Sequence, residues 1–349
     1  LRLLTGEAPI SAIREISINR PDLHLVEDQD GQWNIKEFFD RPRSDQGEGF
    51  GGRIQILNGR AFISKPEGRW ELEQINGQLD FAAWPAVKVS LTAKQQETAL
   101  ELSGTANSDG AGTFSLAATD LDIGNYLPLV DLPAAVTITD GRIRELAVTL
   151  TRKADGGVGY AGEALIAGLA GTYGEWPLSE ADGIVTFTDK QVNLFAVTGL
   201  VAGQRVRVGG SIATDLLHPA LDLTVTAHKL DISALPVEMP AAVKGRLTFT
   251  AEVEGTSDAP HVTGSFSLTD GAIEGLPLTQ AKADLMLQQG VLTVSNLQAA
   301  VAGGQLKANG AMALAQGSYQ FNITGHGIDT TMLARWLPGL AGSSNFTVA

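Results

Sequence analysis

The sequence has no cysteine among its 349 residues, which excludes disulfide frameworks, zinc fingers and thiol catalysis. Charge is also scarce. At 18%, charged residues fall below the ~25% of an average soluble domain. Basic residues are the rarer sign: 25 Lys and Arg stand against 39 Asp and Glu, a net charge of −14. No Lys/Arg cluster supplies the basic face that displaces counterions from phosphates, so the composition argues against nucleic acid as a partner. No run approaches the ~18 apolar residues of a membrane-spanning helix. Long helices are excluded by punctuation, because 40 Gly and 14 Pro interrupt the chain. Coiled coils and helical bundles go with them. Disorder is excluded from the other side, since 44% of residues are hydrophobic. The chain opens at Leu1 with neither Met nor a signal-like apolar core, and so reads as a piece of a longer protein.

What is present is period-two alternation, the mark of a strand with one dry and one wet face. Val87, Val89, Leu91 and Ala93 alternate with Lys88, Ser90 and Thr92. Leu221, Leu223, Val225 and Ala227 alternate with Asp222, Thr224, Thr226 and His228. The same rhythm runs through 205–208, 247–251 and 319–323. Between the runs stand Asn58-Gly59, Asn76-Gly77, Asp109-Gly110, Asp140-Gly141, Asp182-Gly183, Asp270-Gly271 and Asn309-Gly310. Such dipeptides are hairpin signals, because Asn and Asp tolerate positive φ and Gly favours it. The expectation is about 20 strands of five to seven residues in an antiparallel meander.

The strands recur as units. Val201-Ala202-Gly203-Gln204-Arg205-Val206 returns as Val301-Ala302-Gly303-Gly304-Gln305-Leu306. Short closing elements follow: Leu121-Asp122-Ile123, Leu230-Asp231-Ile232 and Ile328-Asp329-Thr330. In each, the Asp is expected to cap one helical turn, and a proline to stop it: Pro128 and Pro133, Pro236 and Pro240, Pro338. This organisation divides the chain into N-terminal strands and a short helix near Lys36–Arg41 (1–50), repeat units at 51–131, 132–239 and 240–339, and the start of another at 340–349. The Gly-rich stretch 41–52 reads as a surface excursion within one array.

Catalytic chemistry finds no foothold. Gly47-Glu48-Gly49-Phe50-Gly51-Gly52 matches a dinucleotide fingerprint in letters alone, for a charged loop precedes it and a strand follows. Asp28-Gln29-Asp30-Gly31 begins like a calcium loop and lacks the later ligands. The five histidines never fall at a metal-ligand spacing. The expectation is a protein with no catalytic residues, no metal and no cofactor.

A one-sided sheet has a physical problem, since each exposed Val, Leu or Phe forgoes roughly 1.5–3 kcal/mol of burial. Either the units close into sandwiches, or the sheet stays continuous and leaves a dry trough. Unbroken polar outer faces and the lack of linkers favour the trough. Its expected lining is Val89, Leu91, Phe114, Leu116, Val148, Leu150, Val206, Val208, Leu221, Leu223, Val225, Leu247, Phe249, Phe266, Leu268, Leu285, Leu287, Phe321 and Ile323.

An ordered set of segments resembles the AsmA/TamB superfamily. These are Ile16-x-Ile18-x-x-Pro21-x-Leu23-x-Leu25, Asp30-Gly31-x-Trp33-Asn34-Ile35, Ile54-x-Ile56-Leu57-Asn58-Gly59-Arg60-Ala61-x-Ile63, and the repeated Leu-Asp-Ile closer. The resemblance implies a long antiparallel sheet curled into a taco-like hydrophobic groove with a few one- to two-turn helices. It also implies an envelope protein of a diderm bacterium that shields phospholipid acyl chains across the periplasm. Attachment to the inner membrane and a BamA-like outer-membrane partner would come from regions outside this chain. The rival expectation is a scaffold for outer-membrane protein assembly, whose sheet edge pairs with nascent strands.

Overall fold

The computed structural model describes residues 13–27, 34, 50–66, 68–108, 110–127, 136–214, 218–235, 243–273, 275–329 and 343–348. The short helix at 36–41, most of the Gly-rich stretch, the calcium-loop-like Asp28–Gly31 and the prolines at 128, 133, 236, 240 and 338 lie outside the described residues. Two compact units are distinguished: Leu1–Pro133 with Asp140–Ala167 and Thr186–Asp189, and Ala134–Thr139 with Gly168–Val185 and Lys190–Ala349.

The fold is all-β, and its strands belong to one mostly antiparallel sheet. The first unit contains β1 (Glu15–Asn19), β2 (Asp22–Val26), β3 (Arg53–Lys65), β4 (Gly68–Asp80), β5 (Ala86–Gln95), β6 (Thr98–Asn107) and β7 (Gly112–Asp122). Three strands, β8 (Val136–Arg152), β9 (Val158–Tyr173) and β10 (Trp176–Thr188), give residues to both units. The second unit continues with β11 (Gln191–Val201), β12 (Gln204–Ala213), β13 (Ala220–Asp231), β14 (Val243–Thr256) and β15 (Ala259–Ile273). Next come β16 (Leu276–Gln288), β17 (Val291–Val301), β18 (Gly304–Ala313), β19 (Ser318–Asp329) and β20 (Ser343–Val348). From β3 to β8 and from β11 to β20, each strand pairs antiparallel with the next.

The first two strands break the expected antiparallel rule. Both lie parallel to β3, Ile16 opposite Ile54 and Leu23 opposite Ala61. They act as one edge strand jogged at Arg20-Pro21, where Arg20 takes a positive φ of 53° and its N–H donates to the Leu57 carbonyl. Parallel neighbours need a crossover of a dozen residues or more, which accounts for the excursion before Arg53.

Strand length and turn placement also differ from expectation. Most strands run 10–17 residues rather than five to seven. Six of the seven Asx-Gly dipeptides sit inside strands rather than in hairpins, and Asp109 of the seventh lies outside the described residues. Their role is to accommodate β-bulges. At a bulge one residue adopts left-handed backbone and its N–H leaves the ladder. The Asn309 side-chain carbonyl accepts a hydrogen bond from the N–H of Asn296 (φ 55°) at 2.8 Å. Asn76 does the same for Asn58 (φ 51°) at 2.9 Å, and Asp182 for Gly168 (φ 62°) at 3.1 Å. The glycine that follows lets the next strand approach. A Cβ on Gly310 would stand 2.3 Å from the Gln320 carbonyl oxygen and 2.4 Å from the Phe321 ring.

The true hairpins are two-residue turns with both central φ positive, such as Ala202-Gly203 (49° and 75°) and Ala302-Gly303 (48° and 77°). Around them the repeat holds residue for residue. Val197 faces Val208 and Leu194 faces Gly210; one hundred residues on, Leu297 faces Ala308 and Val294 faces Gly310, with the bulge in the same place.

The expected one-turn helices occur as two 3-10 turns, Ile123–Asn125 and Ile232–Ala234. As anticipated, Asp122 caps the first through the Gly124 N–H, and Asp231 caps the second through the Ser233 N–H, each at 3.0 Å. A left-handed residue precedes all three closers: Asp120 (φ 54°), Lys229 (φ 52°) and Gly327 (φ 63°).

Neither unit closes on itself: among the described residues no ladder joins its first strand to its last. Nor, among the described residues, does the sheet within either unit show the strong taco-like curl expected from the resemblance. Bulges are what bend a sheet. The β5–β6, β6–β7, β7–β8, β12–β13 and β18–β19 ladders run without a register shift.

Candidate functional site

Register carries the apolar residues into rows across the strands. In the first unit, Ile16, Ile54, Leu79, Val89, Gly104, Phe114 and Leu150 form one row. Ile18, Ile56, Gly77, Leu91, Leu102, Leu116 and Val148 form the next. All six lining residues expected in this unit therefore share one face.

In the second unit a single row crosses nine strands: Val197, Val208, Val225, Ala251, Gly264, Leu285, Val294, Gly310 and Phe321. At ~4.8 Å per strand it extends about 38 Å. Flanking rows hold the other expected residues. One pairs Val206 with Ala227, Phe249 and Phe266. Another pairs Leu230 with Leu247, Leu268, Ala281, Ala299 and Leu306. Leu223 aligns with Val253, Val262, Leu287, Leu292, Met312 and Tyr319, while Leu221 faces Ile212 and Ile323 faces Ala308.

Among the described residues no second layer covers this face. Of the nineteen expected lining residues, only Val206 and Leu268 are buried, and the other seventeen are half-buried. Among the described residues sixteen hydrophobics are buried, nine of them alanines, and only Ile328 is below 2% exposure. A closed sandwich would bury its large inward side chains outright.

The larger buried residues have a pattern. Leu121, Val206, Leu230, Leu268, Leu278, Val301 and Ile328 all lie toward the strand ends that carry the closers. Leu230 packs with Val206 and Ala227, and Ile328 packs with Val301 and Ala302. This end of the face is a closed rim. The opposite end is an open rim of short turns, where the apolar row finishes at Tyr319, 74% exposed.

Between the rims of the second unit, strands β14–β19 enclose a cavity of about 520 Å³ lined only by apolar side chains. A second cavity of about 290 Å³ shares Ile232, Leu247, Phe266 and Leu285 with it, so the two form one trough. Of the expected residues, Leu247, Phe249, Phe266, Leu268, Leu285 and Phe321 line this trough. Ile232, Val243, Ile273, Leu276, Leu278, Val294, Leu297, Leu306 and Ile328 line it without having been expected. Several were hidden by bulges. The left-handed Asn296 puts Val294 and Leu297, three apart, on the same face, and Asp270 does the same for Leu268 and Ile273. The signal was present as an Asx residue between two alternating runs of opposite phase.

Polar groups serve the trough from outside. The Asp231 carboxylate accepts from the Ser233 hydroxyl at 2.6 Å as well as from its N–H, and the two bonds hold its pKa below the ordinary carboxylate value. The cap thereby fixes the turn that carries Ile232 over the face. The opposite face presents Thr248, Thr250, Ser265, Ser267, Lys282 and Asp284. No group of three or more metal-ligating side chains assembles among the described residues. The chain matches no family model, no curated protein and no solved structure.

Proposed function

We propose that this chain is a non-enzymatic lipid conduit, in which the apolar face shields the acyl chains of phospholipids moving between two membranes. One observation carries the reading: an apolar face in register over nine strands, uncovered by any other layer among the described residues and dished into an apolar trough. An acyl chain in water costs ~0.8 kcal/mol per CH₂, so a 16-carbon tail costs roughly 12 kcal/mol. A half-buried apolar row at every strand lowers that cost along the whole route without a deep minimum at any point. The resemblance to AsmA/TamB proteins supports the same reading. It supplies the setting: the periplasm of a diderm bacterium, inner-membrane attachment, and a BamA-like partner reached through other regions.

Lipid mass spectrometry on the purified protein, together with binding of a fluorescent fatty acid, tests the proposal. Co-purified phospholipid and saturable probe binding are expected. Lipid-free protein that ignores the probe, yet crosslinks to unfolded barrel strands, would replace the conduit by an assembly scaffold.

A further inference from the structure

The two rims of the trough differ in ways that bear on how an amphiphile must lie in it. At the closed rim, Leu230 and Ile328 are 3% and 1% exposed, and Ile232, Val301 and Ile328 bound the cavity. No polar side chain lines the larger cavity, and the smaller one adds Thr250 and Ser265. A phosphate pressed among the apolar side chains described there would lose its water, a burial that phosphate-sized charges do not sustain. At the open rim the same face ends in Tyr319, whose ring lies 6.5 Å from that of Phe321 and which is largely exposed. An aromatic ring with an apolar body and a wet hydroxyl suits the boundary between hydrocarbon and water.

We infer that the amphiphile lies along the strands, with its acyl tails toward the closed rim and its head group emerging at the open rim beside Tyr319. The inference rests on the acyl-chain reading above and adds an orientation to it. Length agrees. The seven residues from Ile328 back to Phe321 span about 23 Å of strand. One leaflet of a bilayer is about 15 Å of hydrocarbon. Tails of that length seated against Ile328 and Ile232 therefore fit within the apolar stretch, and the head group lies on its Tyr319 and Met312 side. Movement from strand to strand then slides the head group along one wet rim, while the tails stay in the trough and never cross the closers.

Two photoactivatable phosphatidylethanolamines test the orientation on the full 349-residue chain, one with a diazirine on the head-group amine and one with it at the tail terminus. After irradiation, labelled peptides are mapped by mass spectrometry. The head probe should label residues 286–292 and 312–321 several-fold more than the tail probe does. The tail probe should favour 230–235, 273–278 and 301–306. Reversed patterns, or identical ones, would overturn the orientation while leaving lipid binding intact. Failure of both probes to label the chain at all would sink the conduit reading and the orientation with it.

Discussion

A paired charge substitution separates an open trough from a covered core. Leu285 lines both cavities, faces Gly264 and Val294 across the ladders, and is half-buried. Full burial of a leucine is worth about 1.5–3 kcal/mol, so Leu285→Asp forfeits about 1 kcal/mol of packing. Its carboxylate stays in water through the open side of the trough, and the large penalty for a buried charge does not arise. The total should be about 1–2 kcal/mol. Ile328→Asp is the contrast. At 1% exposure against Val301 and Ala302, it loses the ~2–5 kcal/mol of a buried aliphatic side chain. It also buries an unpaired carboxylate, which must protonate at a raised pKa or unfold its surroundings. Urea denaturation followed by circular dichroism reads the difference. With a urea dependence of about 1–3 kcal/mol/M, Leu285→Asp should lower the midpoint by about 0.3–2 M, and Ile328→Asp by several-fold more at the same slope. Leu285→Asp should also weaken fatty-acid probe binding without urea, where the protein is fully folded. Equal destabilisation by the two changes would show the face covered in solution and refute the trough.

Two further outcomes follow from the local chemistry. Asn309→Ala removes the acceptor for the Asn296 N–H and should cost about 1 kcal/mol, seen as faster amide exchange at Asn296 while hairpins elsewhere are unaffected. Asp231, whose pKa is lowered first by the Ser233 hydroxyl and then by the Ser233 N–H, stabilises the closer fully above the unfolded Asp value of ~3.9. That contribution should fade as pH falls through the lower folded value. Asp231→Asn should flatten the pH dependence of Ser233 amide exchange in that acid window.

The sequence was legible wherever period two ran unbroken. Val206-x-Val208 on β12 and Leu247-x-Phe249 on β14 fall on the expected face because no bulge interrupts them between those residues. The capped closers were also readable, since an Asp before a one-turn element has few other uses. Two features were not. Asn-Gly and Asp-Gly signal positive φ and polar capping, and a bulge needs the same chemistry as a hairpin, so Asn309-Gly310 reads as a turn until its register is known. The rims were invisible for a different reason. Alternation says which side of a strand is dry, but not which end, and Leu230 looks no more buried in sequence than Leu223.

Bulges also explain why the repeat is so exact in register. Each left-handed residue flips the parity of the inward positions beyond it. On β11 the inward set changes from Val192 and Leu194 to Val197 and Gly199, while β12 keeps one parity from Val206 to Ile212. The apolar rows stay continuous only if every flip falls where the neighbouring strand can absorb it. A single-residue shift would turn the remainder of a strand inside out and set charges such as Arg207 or Lys307 into the trough. β17 and β18 meet this condition by reproducing the bulge of β11 and β12 at an offset of one hundred residues, with Ala196 at φ 53° and Asn296 at φ 55°. Folding stability alone does not demand that continuity, because each ladder contacts only its neighbours and could be stabilised piecemeal. An unbroken dry face across nine strands is what the proposed conduit needs, since an acyl chain in it would pass from one strand to the next.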